Sequence, residues 1–163
     1  MLADRVSSRI PRALQAAGYE VFTPTCTGCG KRRHLMSPEV GLDTHITDIC
    51  NVIEYEELSM VVLCGHSFAG LTITGVADRM RERIAHLVYL DALVPTPPDL
   101  MSGVHRNPDG SLPESWDKRR AKFIDGDQMD YFASHPIAMM FPEDRLEDAA
   151  WMKRRLTPHP ARG

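Results

Sequence analysis

A chain of 163 residues, 43% hydrophobic and 25% charged, has the size and balance of one globular domain with a buried core. Its formal net charge of -3 offers no basic field for a phosphate backbone, which argues against nucleic-acid binding. Charges at Asp4, Arg5 and Arg9 interrupt the N-terminus, and no window reaches the roughly 18 apolar residues of a membrane helix, so a soluble, cytoplasmic protein without a membrane partner is expected.

Val6, Ile10, Leu14 and Ala17 share one face of a helix over residues 4–17, and Gly18 stands where a helix C-terminal glycine would stop it. Tyr19–Thr23 alternates and is rich in β-formers, which predicts a short strand. Residues 24–38 read as loop, with Lys31, Arg32 and Arg33 in a basic cluster. The loop holds Cys26-Thr-Gly-Cys29. No second pair or histidine cluster follows at zinc-ligand spacing, and no strand runs into a helix there, so no metal or redox role is expected. Asp43 reads as an N-cap, and Leu42, Ile46, Ile49, Cys50 and Ile53 predict a helix to about Glu57.

Met60–Cys64 is a continuous apolar run, as in a strand buried on both faces. Leu71, Ile73, Val76 and Ala77 predict a helix from Phe68 to about Met80, and Ala85–Leu90 predicts another buried strand. Strand alternating with helix implies a parallel sheet with helices on both faces. The texture changes at Val94. Residues 95–115 carry Pro95, Pro97, Pro98, Pro108 and Pro113 with Gly103 and Gly110, hence loop. Amphipathic segments at about 117–133 and 143–155 follow, parted by His135-Pro136 and Pro142, with no strand between them. The expected organisation is an α/β core over 1–94 and a loop plus helical cap, or lid, over 95–163.

Chemistry concentrates in Gly65-His66-Ser67-Phe68-Ala69-Gly70, between a buried strand and a helix. That is the setting of a nucleophile elbow, a sharp turn presenting a serine at the sheet's C-terminal edge. Ser67 is the candidate nucleophile. The Phe68 N–H, at the positive end of the following helix, is the candidate oxyanion donor. Serine chemistry also needs a histidine to take the proton and an acid to orient that histidine. The pattern departs from G-x-S-x-G in having Ala69, with Gly70 one residue later. No G-x-G-x-x-G or G-x-x-x-x-G-K-[ST] opens a helix, which argues against nucleotide binding.

Residues 24–35, Gly41-Leu-Asp-Thr-His-Ile46, Val62-Leu-Cys-Gly-His-Ser-Phe-Ala-Gly70 and His86-Leu-Val-Tyr-Leu-Asp-Ala92 resemble the α/β-hydrolase group that includes plant methyl-ester esterases, hydroxynitrile lyases and bacterial relatives. The match is dense from about residue 11 to 95 and looser beyond. The resemblance implies a partial α/β-hydrolase fold, a mostly parallel sheet flanked by helices with a C-terminal helical lid. It also implies no cofactor or metal and cleavage of small carboxylic esters, with esterase and lyase left open. By that match Ser67 is the nucleophile and Phe68 N–H an oxyanion donor.

Two departures stand out. No apolar strand precedes Val6 and no His-Gly dipeptide occurs, so the group's second oxyanion donor has no counterpart, and neither do its usual acid and histidine. The expectation is a truncated chain, weakly active or inactive, with a non-catalytic pseudohydrolase that binds a small apolar ligand or a protein as the alternative. Asp91, ending the strand after the elbow, is the substitute acid candidate, against a capping role. His105, His135 and His159 lie among loop-forming prolines and read as solvated. His34 and His45 suit surface or packing roles, His66 points away from the serine side, and His86 begins a strand. Exposed sheet edges would favour a homo-oligomer.

Overall fold

The computed structural model describes residues 9–95, 111, 114, 123–124, 128–130, 141 and 143–160. Helix α1 spans Arg9–Ala16. It ends as expected at Gly18, whose φ of 91° is left-handed. The Tyr19 N–H reaches the Leu14 carbonyl at 3.1 Å and the Gly18 N–H that of Gln15 at 3.0 Å, a Schellman closure. The strand expected at Tyr19–Thr23 does not form. That segment has no regular secondary structure and no strand partner among the described residues, and Tyr19 is exposed. β-Propensity makes a strand only where a neighbouring strand is in reach.

The expected loop after it contains a tight turn, closed by the Cys29 N–H to the Cys26 carbonyl at 3.1 Å, and a 3-10 helix over Gly30–Leu35. Helix α2 spans Leu42–Tyr55, and Gly41 rather than Asp43 is its N-cap. The Gly41 N–H donates to Thr44 Oγ1 at 3.3 Å. Asp43 sits in the first turn, where its carboxylate meets the positive helix end and pairs with Arg79 of the next helix. The helix stops two residues before the expected Glu57, which takes a left-handed φ of 53° while Leu58 N–H bonds the Ile53 carbonyl at 2.9 Å. This is the closure seen at Gly18, made with a residue that has a Cβ.

Strand β1 (Val61–Ser67) leads through the elbow into helix α3 (Ala69–Arg79), and β2 (Ile84–Ala92) pairs with β1 in parallel. The regular register runs from Val62 opposite His86 to His66 opposite Leu90. Helix α3 packs across both strands and α2 packs on α3. The core between them is Ile46, Ile53, Leu63, Ile73 and Val76. A Cβ on Gly75 would collide with the Ile46 side chain, so the glycine sets the close α2–α3 approach. The sheet, expected to be buried on both faces, is not so among the described residues. Among the described residues helices cover one face, and on the other Val62 is 56% and Leu90 50% exposed. An apolar run records that a strand can be buried on both sides, not that both covers are present.

Helix α4 (Leu146–Arg155) follows a short 3-10 turn at Glu143–Arg145, in agreement with the helical segment expected there. A strand was not expected in this part, yet Gln128–Met129 (β3) and His159–Pro160 (β4) pair antiparallel. Two-residue strands carry no readable alternation, and Pro160, which has no N–H, suits a short edge. The expected loop at 95–115 and helix at 117–133, with His105 and His135, lie almost wholly outside the described residues.

Candidate active site

The elbow forms because one glycine lets β1 approach α3 and another lets α3 approach the end of β2. A Cβ on Gly65 would stand 2.7 Å from the Ala69 carbonyl oxygen. A Cβ on Gly70 would run into the Leu93 carbonyl and come within 2.9 Å of the Ala92 Cβ. The packing therefore needs its second glycine at 70, and Ala69 is accommodated, which explains the departure from G-x-S-x-G. Ser67 sits exposed at the tip with a left-handed φ of 54°. Such a conformation in a non-glycine residue costs about 1–3 kcal/mol and survives only where its surroundings impose it. Part of that constraint comes from the Leu93 N–H, which donates to the Ser67 carbonyl at 2.9 Å. Phe68, at φ -55° and ψ -29°, is the N-cap of α3, so its amide lies at the positive end of the helix.

Asp91 comes to the same end of the sheet. The register shifts between His66, opposite Leu90, and Ser67, opposite Ala92, so Asp91 is the extra residue and takes a φ of 44°. Such a bulge re-aims a side chain, and the Asp91 carboxyl is exposed. Among the described residues no histidine hydrogen-bonds to Ser67 or Asp91.

The larger surprise is His159. Read as solvated, it is instead partly buried in a strap formed by residues 157–160. Its ring centroid lies 4.5 Å from that of Phe68 and 5.4 Å from that of His45, edge-on to both. Burial holds its imidazole down to a pKa of about 4. Its Nδ1 lies 2.7 Å from the Pro160 carbonyl. Thr157 fastens the strap, its Oγ1 accepting from the Gly30 N–H at 3.0 Å. The sequence signal was thin. Prolines on both sides of His159 stiffen the strap, but nothing local points it at Phe68.

His45 is fully buried, in line with a packing role, and burial lowers its pKa. Its Nε2 faces the Thr27 carbonyl at 3.1 Å and Cys29 Sγ at 3.9 Å. Asp48 holds that loop in place, accepting from the Thr27 N–H at 2.6 Å, the Thr27 hydroxyl at 3.0 Å and Arg32 Nη1 at 3.2 Å. Cys26 and Cys29 are both buried. Burial, with the Asp48 carboxylate next, pushes the Cys26 thiol up to about 12, far from thiolate chemistry. His34, His66 and His86 are exposed.

A family model described as "Alpha/beta hydrolase family" matches residues 3–163. Over 83 residues the chain is 57% identical to a carbendazim hydrolyzing esterase of Nocardioides sp., covering 51% of this chain and 34% of that protein. Over 86 residues it is 30% identical to a pyrethroid hydrolase of Sphingobium wenxiniae, covering 52% of this chain and 30% of that protein. The matched stretch thus spans about a third of the length of these curated relatives. An extracellular alpha/beta-hydrolase from a Paenibacillus species, described as sharing structural and functional homology with tobacco salicylic acid binding protein 2, superposes with a TM-score of 0.68 at 20% identity. That superposition covers 94% of this chain and 61% of the other, and at such identity it establishes the fold.

Proposed function

This chain belongs to the alpha/beta hydrolase family, and on that premise we propose that Ser67 is the nucleophile of a serine-dependent hydrolysis of small carboxylic esters. The observation that carries the reading is the exposed Ser67 at φ 54° on a turn that Gly65 and Gly70 make sterically feasible. Ser67 Oγ attacks the ester carbonyl as a base, an imidazole or water, takes its proton. The carbonyl oxygen takes up the electron pair and accepts from the Phe68 N–H. The intermediate then expels the alkoxide, which receives that proton and leaves as the alcohol while the acyl-serine forms. Water then releases the acid. Asp91, on its bulge beside the elbow, is the proposed acid for orienting an imidazole base. The two hydrolases whose sequences align with this chain support an ester or related small molecule as substrate.

The 163-residue chain itself is expected to turn esters over weakly or not at all; among the described residues no imidazole hydrogen-bonds to Ser67. Lack of a base costs on the order of 10⁴-fold or more in rate. The same observation favours a second reading, a pseudohydrolase that binds small apolar ligands without cleaving them. Prolonged incubation with excess fluorophosphonate, read by intact mass, decides between them. The hydrolase reading expects slow, single-site labelling that vanishes in Ser67→Ala. Equal labelling of both proteins rejects it, and ester binding without labelling favours the pseudohydrolase.

Among the described residues the sheet edges are open and one sheet face is exposed and apolar, which also supports self-association. A clean monomer in size-exclusion chromatography at high concentration would count against that.

A further inference from the structure

We propose that His159 is a positioning residue for the elbow: the C-terminal strap wedges its imidazole between the rings of His45 and Phe68, and the wedge fixes the Phe68 amide beside Ser67. The inference rests on the reading of Ser67 as nucleophile.

One side of the wedge is rigid. His45 is 2% exposed and faces the Thr27 carbonyl at 3.1 Å, and Thr27 is in turn held twice by Asp48. The wedge itself is fastened at both ends. Thr157 accepts from Gly30 N–H, and Met129 pairs with His159 as Gln128 does with Pro160. Pro158 and Pro160 restrict the backbone on either side of the imidazole. The other side of the wedge is Phe68, 4.5 Å away between ring centroids.

Holding the Phe68 ring anchors its Cβ, and with it the Cα at the start of α3. The turn that carries the Ser67–Phe68 peptide cannot then shift as a whole without driving the ring into His159. That peptide carries the proposed oxyanion N–H, and it follows a residue held in a left-handed conformation that relaxes if its surroundings loosen. Among the described residues His159 has no hydrogen bond to Ser67, and its Nδ1 is engaged with the Pro160 carbonyl, so its influence runs through Phe68. The neutral imidazole, kept uncharged by burial, packs as a flat ring. A phenyl ring can do the same.

The test measures acylation of Ser67 by p-nitrophenyl acetate in the 163-residue chain, as p-nitrophenolate released per folded molecule, for wild type, S67A, H159A, H159F, F68L and F68L/H159A. Each variant is melted first and assayed at a temperature where it is folded. H159A is expected to slow acylation about tenfold, as misplacement of a reacting group does. H159F should stay within about threefold of wild type. F68L should fall as H159A does, and adding H159A to F68L should cost nothing further, the mark of two residues acting as one unit.

Wild-type acylation by H159A overturns the proposal. So does H159F as slow as H159A, since the imidazole's chemistry rather than its shape would then matter. Full additivity of F68L and H159A overturns it as well, as does a lowered melting temperature with unchanged acylation per folded molecule. Equal rates for wild type and S67A reject the nucleophile reading itself. Should H159A not fold, H159L takes its place under the same expectations.

Discussion

The Ser67–Phe68 peptide is held from two sides by unlike means. On the sheet side, β1, α3 and the end of β2 converge through backbone contacts at Gly65, Gly70 and Leu93. On the strap side, a ring from far along the chain is laid against Phe68. Close backbone approach must be encoded locally, because only glycine lacks the clashing Cβ. A ring contact can be supplied by many sequences and leaves no local trace. The elbow is therefore legible from residues 60–90 alone, whereas the strap becomes visible only in three dimensions.

The largest expected effect lies behind both sides, in the core they share. Ile53→Ala deletes a side chain that is 2% exposed and should cost roughly 4 kcal/mol, read as a shift in the urea midpoint with unchanged slope. A loss under about 1 kcal/mol would mean that the α2–α3 packing is wrong. Gly70→Ala drives a methyl into the Leu93 carbonyl and should cost roughly 3 kcal/mol. Gly18→Ala meets no atom within 4 Å and suffers only its left-handed φ, about 1 kcal/mol. If the two glycine variants lose equal stability, close approach is not what the elbow glycine serves.

The strap side should respond to acid. The ordinary histidine pKa is 6.5, and that of His159 in the fold is about 4. The unfolded chain therefore takes up a proton on His159 at a higher pH than the folded one does. Stability is full above pH 6.5, falls as pH drops from 6.5 towards 4, and levels off below, with a total loss of about 3 kcal/mol. Burial of His45 acts in the same direction. Replacing His159 with Phe should remove its share of that slope. An unchanged slope would mean that His159 is solvated after all, which would separate the strap from the elbow.

The smallest effect should have the opposite sign. Glu57 closes α2 in the conformation glycine adopts at the end of α1, so Glu57→Gly should stabilise by about 0.5–1 kcal/mol. A destabilised variant would show that Glu57 makes a compensating contact.

These contrasts also mark where sequence reasoning stops. Apolar spacing located α2, β1, α3 and β2 within a few residues, because each buries at least one face in the same core. Tyr19–Thr23 has the pattern of a strand and lacks a neighbouring strand among the described residues, a fact of tertiary placement. The face of β1 and β2 left open among the described residues has the composition of a buried one, because composition registers capacity for burial and not the presence of a cover. Asp91 could be flagged only as a residue ending a strand, since the register shift that exposes it depends on how β2 pairs with β1. At His159, the flanking prolines looked like a solvated loop. The same prolines stiffen the strap that packs its ring on Phe68.

The central claim is that the exposed, left-handed Ser67 is the reacting serine of this chain. Peptide mapping of the fluorophosphonate adduct tests it most directly. The account predicts one modified peptide, spanning the β1–α3 turn with the adduct on Ser67, and no adduct in Ser67→Ala. An adduct on another serine, or the same adduct yield after Ser67→Ala, would contradict it.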